Sequence, residues 1–142
     1  MYLLDTDHLG ILQRQTMPDF NRLSRRMSHR APTDFYASIV SFHEQCLGWN
    51  AYLNRARAAP AVVFGYVMFH DVLRNFAQMQ VLGYDDAAAN RFAALRSQRI
   101  RIGTMDLRIA SIALEQNLTV LSRNLQDFGQ VPGLNVEDWT AP

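Results

Sequence analysis

Short apolar runs suited to β-strands alternate along the chain with longer stretches of helical period, and no two runs are joined by a tight hairpin turn. Strands separated by long crossovers pair in parallel, with the connecting helices covering both faces of the sheet. The runs fall at Tyr2–Leu4, Phe35–Ser41, Met79–Leu82 and Leu118–Leu121, with a further edge strand expected at Leu134–Val136. Between them, Thr6 or Asp7 is placed to cap a helix through Leu9, Ile11 and Leu12. Further helices are predicted over Asp19–His29, Phe42–Arg57, Ala61–Phe76, Asp85 to about Gln98, and Met105 to Glu115 or Gln116, the last capped by Thr104 and stopped at Asn117. Asp127 and Phe128 read as loop. The expected fold class is therefore α/β: a three-layer α/β/α domain with a mainly parallel central sheet, spanning residues 1–142 as one unit.

Several function classes are excluded early. With 49% apolar and 19% charged residues, the chain has the composition of a globular domain. No uninterrupted apolar run approaches the ~20 residues of a membrane span. Asp5 and Asp7 occupy the positions where a secretory leader carries its basic and apolar regions, so no leader is expected. Cys46 is the only cysteine, which excludes an internal disulfide and a cysteine-built metal site. A reducing, cytoplasmic setting without a membrane partner is the expectation. The net charge of +1 gives no global attraction to nucleic acid, and all 14 basic residues are arginine.

Open parallel sheets bind ligands beyond the carboxyl ends of their strands. Asp5 follows the first strand directly, and Glu44 lies just after the second, in the expected first turn of the next helix. Asp106 sits in the first turn of its own helix, with the small residues Ala110 and Ala113 continuing that face to leave room beside the carboxylate. Asn124 and Asp127 follow the strand at Leu118–Leu121. Taken singly, such acids usually cap helices or meet a helix dipole. Together they share one predicted rim, where like charges repel unless a cation compensates them. Mg²⁺ suits an oxygen-only donor set, and such an ion can activate water against a phosphodiester. Zinc is disfavoured, because the set is neither histidine-rich nor cysteine-rich.

A strand followed by Asp-Thr-Asp is also the pattern of haloacid dehalogenase-type phosphatases, and receiver domains pair acids at a strand end. Both normally need a lysine, and this chain has none. No nucleophile elbow, phosphate-binding loop or dinucleotide turn is present. Cys46 is expected to be a packing residue. His8, His29, His43 and His70 lack H-E-x-x-H spacing and default to core or solvent positions.

Three segments carry a family resemblance: YLLDTDHL at the start, SIVSFHEQCLG in the middle and GTMDLRIASIALEQNLTVLSRNLQDFGQVPGLNVEDW at the end. They resemble PIN-domain ribonucleases, most nearly the VapC-type toxins of bacterial toxin–antitoxin pairs. The resemblance implies an Mg²⁺-dependent endoribonuclease, with Mn²⁺ as an alternative ion. By position it implies Asp5, Glu44 and Asp106 as core acids, with Asp5 and Asp106 as direct ligands, and Asp127 as the fourth acid assisted by Asn124. Asp7 departs from the asparagine common at its place in the family and is read as a helix cap. The resemblance also implies an RNA substrate, a small antitoxin partner that covers the acidic pocket, and a homodimer or toxin–antitoxin hetero-oligomer. The apolar helices Phe20–Met27 and Ala61–Phe76 are candidates for those contacts, and Arg108 and Arg123 for steering the phosphate backbone. The alternative is a non-catalytic PIN scaffold that binds RNA or its antitoxin.

Overall fold

The computed structural model describes all residues, 1–142. Five strands, β1 (Tyr2–Leu4), β2 (Phe35–Ser38), β3 (Val81–Leu82), β4 (Thr119–Leu121) and β5 (Val136–Glu137), form one sheet in the order β3-β2-β1-β4-β5. Every pairing is parallel: Leu3 lies opposite Tyr36 on one side and Val120 on the other. Seven helices connect them: α1 (Thr6–Arg14), α2 (Asp19–Met27), α3 (Ile39–Arg55), α4 (Ala59–Ala77), α5 (Asp86–Ser97), α6 (Thr104–Glu115) and α7 (Leu125–Phe128). No helix is long and apolar enough to cross a membrane.

Successive side chains of a strand point to opposite faces of the sheet, and this alternation builds two cores. Leu3 and Val120 join Leu107, Ile109, Ile112 and Phe128 on one face. Leu4 and Leu121 join Leu9, Leu23, Phe76 and Trp139 on the other. Tyr2, Phe35 and Trp139 cluster at the start of the sheet, with ring centroids 4.6–5.9 Å apart. This cluster fastens the C-terminal segment to the first two strands.

Four local expectations are corrected. β2 ends at Ser38 rather than Ser41, because the buried Ser38 hydroxyl accepts the backbone N–H of Ser41 at 3.1 Å and starts α3 three residues early. Asp5, not Thr6 or Asp7, caps α1 by accepting the N–H of Thr6 at 2.7 Å. Gly103 precedes α6 without any side-chain cap, so Thr104 is its first residue rather than its cap. Asn124 caps the short helix α7, in the stretch read as loop, through a 3.4 Å bond from the N–H of Asp127.

The stop at Asn117 is as expected. Its φ of 58° is left-handed, Leu118 N–H bonds back to Ala113 carbonyl at 2.8 Å, and Asn117 N–H to Leu114 carbonyl at 3.3 Å. This is a Schellman closure, which favours Gly or Asn. Asn117→Ala should lower stability by about 1 kcal/mol, while Asn117→Gly should leave it unchanged or higher, as read from urea unfolding midpoints.

Candidate functional site

β1, β2 and β4 run in parallel, so their carboxyl ends share one edge, and the site is built there. Asp5 leaves β1 and is 6% exposed, an unusual position for a carboxylate. Its Oδ1 accepts the Thr6 N–H, and its Oδ2 accepts the Ser122 hydroxyl at 2.7 Å. Ser122 follows β4 directly, is wholly buried, and also accepts the N–H of Asn124 at 3.0 Å. Glu44 lies in the second turn of α3, not the first, because the helix begins at Ile39. The Thr6 hydroxyl donates to Glu44 Oε1 at 2.8 Å and lies 3.0 Å from Ser41 Oγ, which ties α1 to α3.

Asp106 occupies the first turn of α6. The Asn124 amide nitrogen donates to Asp106 Oδ2 and to Asp127 Oδ2, both at 3.0 Å. Asn124 thus holds two acids side by side through its two hydrogens. Ala110 and Ala113 are wholly buried in the core rather than lining free space beside Asp106.

Asp7 does not act as the cap. Its Oδ1 lies 2.8 Å from His8 Nδ1, and its Oδ2 accepts the Arg123 N–H at 2.9 Å. His8 is fully buried, and its Nε2 accepts the N–H of Trp139 at 3.3 Å. Both imidazole nitrogens are therefore engaged within the fold.

The candidate acids have no arginine partner, and only Glu44 among them feels a favourable charge effect from a histidine, His43. Arginine pairs with Asp19, Asp71 and Glu115, and none forms a salt bridge with Asp5, Glu44, Asp106 or Asp127. Burial, together with the charges of Asp7 and Asp106, pushes Asp5 up to about 7 despite the bonds from Ser122 and Thr6. Burial raises Glu44 and Asp106 as well, reinforced by charge from Asp106 on Glu44 and from Asp127 on Asp106. Burial would also raise Asp7, but its bonds from His8 and the Arg123 N–H outweigh that and hold it below the usual aspartate range.

The donor chemistry of Asp5, Glu44, Asp106, Asn124 and Asp127 fits a hard divalent cation, because all of their candidate ligand atoms are oxygens. No three carboxylate, imidazole or thiol groups form a ready-made cation cage. A pair of carboxylates completed by water and substrate oxygens is the arrangement typical of Mg²⁺.

The two arginines expected to steer phosphate are engaged elsewhere. Arg123 pairs with Asp19 and donates to Thr140 Oγ1 at 3.3 Å, while the Arg108 guanidinium lies over the Phe92 ring at 5.9 Å. Sequence reading did not anticipate the roles of Ser122 and Ser41, and it took Thr6 as a candidate helix cap rather than as the partner of Glu44. A serine directly after a fully apolar strand end was the available signal for the first. Cys46 is part-buried against the core, and burial raises its thiol, consistent with a packing role.

Comparison with known proteins places this geometry in context. No family model matches the chain. It is 34% identical over 83 residues to the tRNA(fMet)-specific endonuclease VapC of Salmonella typhimurium, a match covering 56% of each protein. The match thus spans just over half the length of that relative. In three dimensions the chain is similar to DNA-bound VapBC from Salmonella typhimurium, with a TM-score of 0.72, 22% identity and 97% coverage of both chains. It is similar also to VapBC-1 of Haemophilus influenzae, with a TM-score of 0.75, 20% identity and coverage of 99% and 98%. The α/β/α architecture read from the sequence is the fold of these toxin–antitoxin structures.

The raised Asp5 carboxyl makes a pH prediction. The folded protein keeps its proton up to about pH 7, whereas an unfolded aspartate releases it near pH ~4. Folding therefore takes up a proton between these values, and the metal-free protein loses stability as pH rises through them. In EDTA the melting temperature should fall between pH 5 and pH 8 by on the order of 5 °C. Asp5→Asn should flatten that slope and melt higher than the parent at pH 8. A parent melting temperature that rises across this range would contradict the burial account.

Proposed function

We propose that this chain is a metal-dependent endoribonuclease, the toxin component of a toxin–antitoxin pair, hydrolysing RNA phosphodiesters at the acidic edge of the sheet. The observation that carries the reading is that Asp5, Glu44, Asp106 and Asp127, from separate segments, are linked through Thr6, Ser122 and Asn124 with no arginine salt bridge to any of them. The likeness to a VapC endonuclease and to VapBC complexes supports the same reading.

Asp5 and Asp106 are the direct ligands for Mg²⁺ or Mn²⁺ in this account, and Asp127 completes the outer part of the site. The bound ion supplies neutralisation of the acids and Lewis acidity at the phosphodiester. Ser122 and the Thr6 N–H each hold one oxygen of Asp5, fixing the carboxylate plane before substrate arrives. Asn124 does the same for Asp106 and Asp127.

Glu44 is anchored through Oε1 only. Its Oε2 is free to orient a water and accept its proton as the water oxygen bonds to phosphorus, while the phosphorus–ribose oxygen bond breaks and the departing oxygen takes a proton from solvent. The raised Glu44 carboxyl makes it a better proton acceptor than an exposed glutamate.

RNA is the substrate class, and tRNA is the first to test, since the Salmonella relative is named for tRNA(fMet). The partner is a small antitoxin protein, with assembly as a homodimer or as a toxin–antitoxin hetero-oligomer. The apolar face for such contacts lies on α4 and α3, where Val63, Phe64, Tyr66, Val67, Leu73 and Leu47 are exposed. α2 offers less, because Phe20, Leu23 and Met27 pack into the core.

With Mg²⁺ present, Asp106→Asn should reduce cleavage of RNA by about 100-fold or more, and Glu44→Gln by a similar factor. Excess EDTA should stop the parent enzyme. Cleavage by Asp106→Asn at the parental rate, or parental activity undiminished in EDTA, would favour a non-catalytic scaffold or a metal-free mechanism instead.

A further inference from the structure

A cavity of about 400 Å³ lies between α1, α3 and α4, large enough for a small-ligand site. Its wall includes Thr6 and Asp7, the two residues that follow Asp5 in the chain, so the cavity lies beside the end of β1. α1 contributes Gln13 and Arg14, α3 contributes Trp49, and α4 closes the far side.

Within it, Gln45 Nε2 donates to Gln13 Oε1 at 2.9 Å, yet Gln13 Nε2 and Gln45 Oε1 are buried with no partner. Turning both amides over leaves the same deficit, one donor and one acceptor. Buried amide ends without partners are costly, so an outside group carrying one acceptor and one donor would complete the pair. The edges of nucleobases carry that combination. Trp49 adds an aromatic surface, itself fixed edge-on by Tyr52 and Phe64 at 5.5 and 5.8 Å. Arg14 adds a cation folded back over Gly10, where a Cβ would lie 2.9 Å from its guanidinium.

We propose that this cavity is a base-recognition subsite, holding an unpaired nucleobase of the RNA beside the cleaved phosphodiester. The unpartnered amide ends of Gln13 and Gln45 read the base edge, Trp49 stacks against its face, and Arg14 meets the adjoining phosphate. This inference rests on the nuclease reading above. An apolar peptide suits a different hollow, beside Phe42, Tyr66 and Leu73, whose lining is mostly hydrophobic.

The test uses single-stranded RNA oligonucleotides that vary each base flanking the cut, with Mg²⁺, comparing the parent protein with Gln13→Met and Gln45→Met. The parent should prefer one base, and that preference ratio should fall about 10-fold in either variant. A second readout needs neither metal nor turnover: trinucleotides titrated into Asp106→Asn should change tryptophan fluorescence saturably, and Trp49→Phe should remove the change. Cleavage by the parent with an unaltered preference in both glutamine variants overturns the subsite and leaves the nuclease reading intact. Saturable fluorescence changes from a parent protein that cuts no RNA support the subsite and remove the nuclease reading. Variants that lose antitoxin affinity while keeping the parental base preference assign the cavity to a peptide and overturn the proposal.

Discussion

The burial of Asp5 at the end of β1 is the constraint around which the rest is arranged. A carboxylate that is 6% exposed and unpaired with any cation is unfavourable in isolation, since a low-dielectric surrounding penalises the charged form. Two hydrogen bonds, from Thr6 and Ser122, offset part of that penalty and fix both oxygens. Each donor belongs to a different element: Thr6 opens α1, and Ser122 closes β4. The parallel pairing of β1 with β4, Leu4 opposite Leu121, sets Ser122 against Asp5. Sheet register therefore determines whether the site forms at all.

From that centre the polar contacts spread in two directions. Thr6 carries them to Glu44 on α3, and Ser122 carries them through Asn124 to Asp106 and Asp127. Asp7 and His8 tie the back of the site to the C-terminal segment through the Trp139 backbone. The rigidity expected of a preorganised centre comes from short-range bonds between segments up to 131 residues apart. Asp5, Glu44, Asp106 and Asp127 form no salt bridge with any arginine, and that is the physical ground for the proposal of a divalent cation and a phosphodiester.

The fold was largely legible because its signals are periodic. Leu3 and Leu4, and Val120 and Leu121, each send one side chain to either core, which is how a buried parallel strand reads in sequence. Asp5 and Asp106 lie where the sequence placed them, after β1 and in the first turn of α6, whereas Glu44 lies one turn further into α3 than expected. What escaped notice was local hydrogen bonding. Ser38 can continue a strand or cap a helix, and only its bond to Ser41 shows which. Asp5 and Asp7 are both plausible caps, and the choice depends on Ser122, His8 and Arg123 arriving from elsewhere. The engagement of Arg123 with Asp19 likewise depends on a contact 104 residues distant, beyond any pattern within a single segment.

The central claim is that the carboxylates at the sheet edge form one divalent-cation site, with Asp5 and Asp106 as its ligands. Calorimetric titration of Mn²⁺ into the metal-free protein at pH 7.5, without RNA, tests it directly. Saturable binding by the parent is expected, weakened about 10-fold or more in both Asp5→Asn and Asp106→Asn. Equal binding by parent and variants, or none by the folded parent, would contradict the assignment.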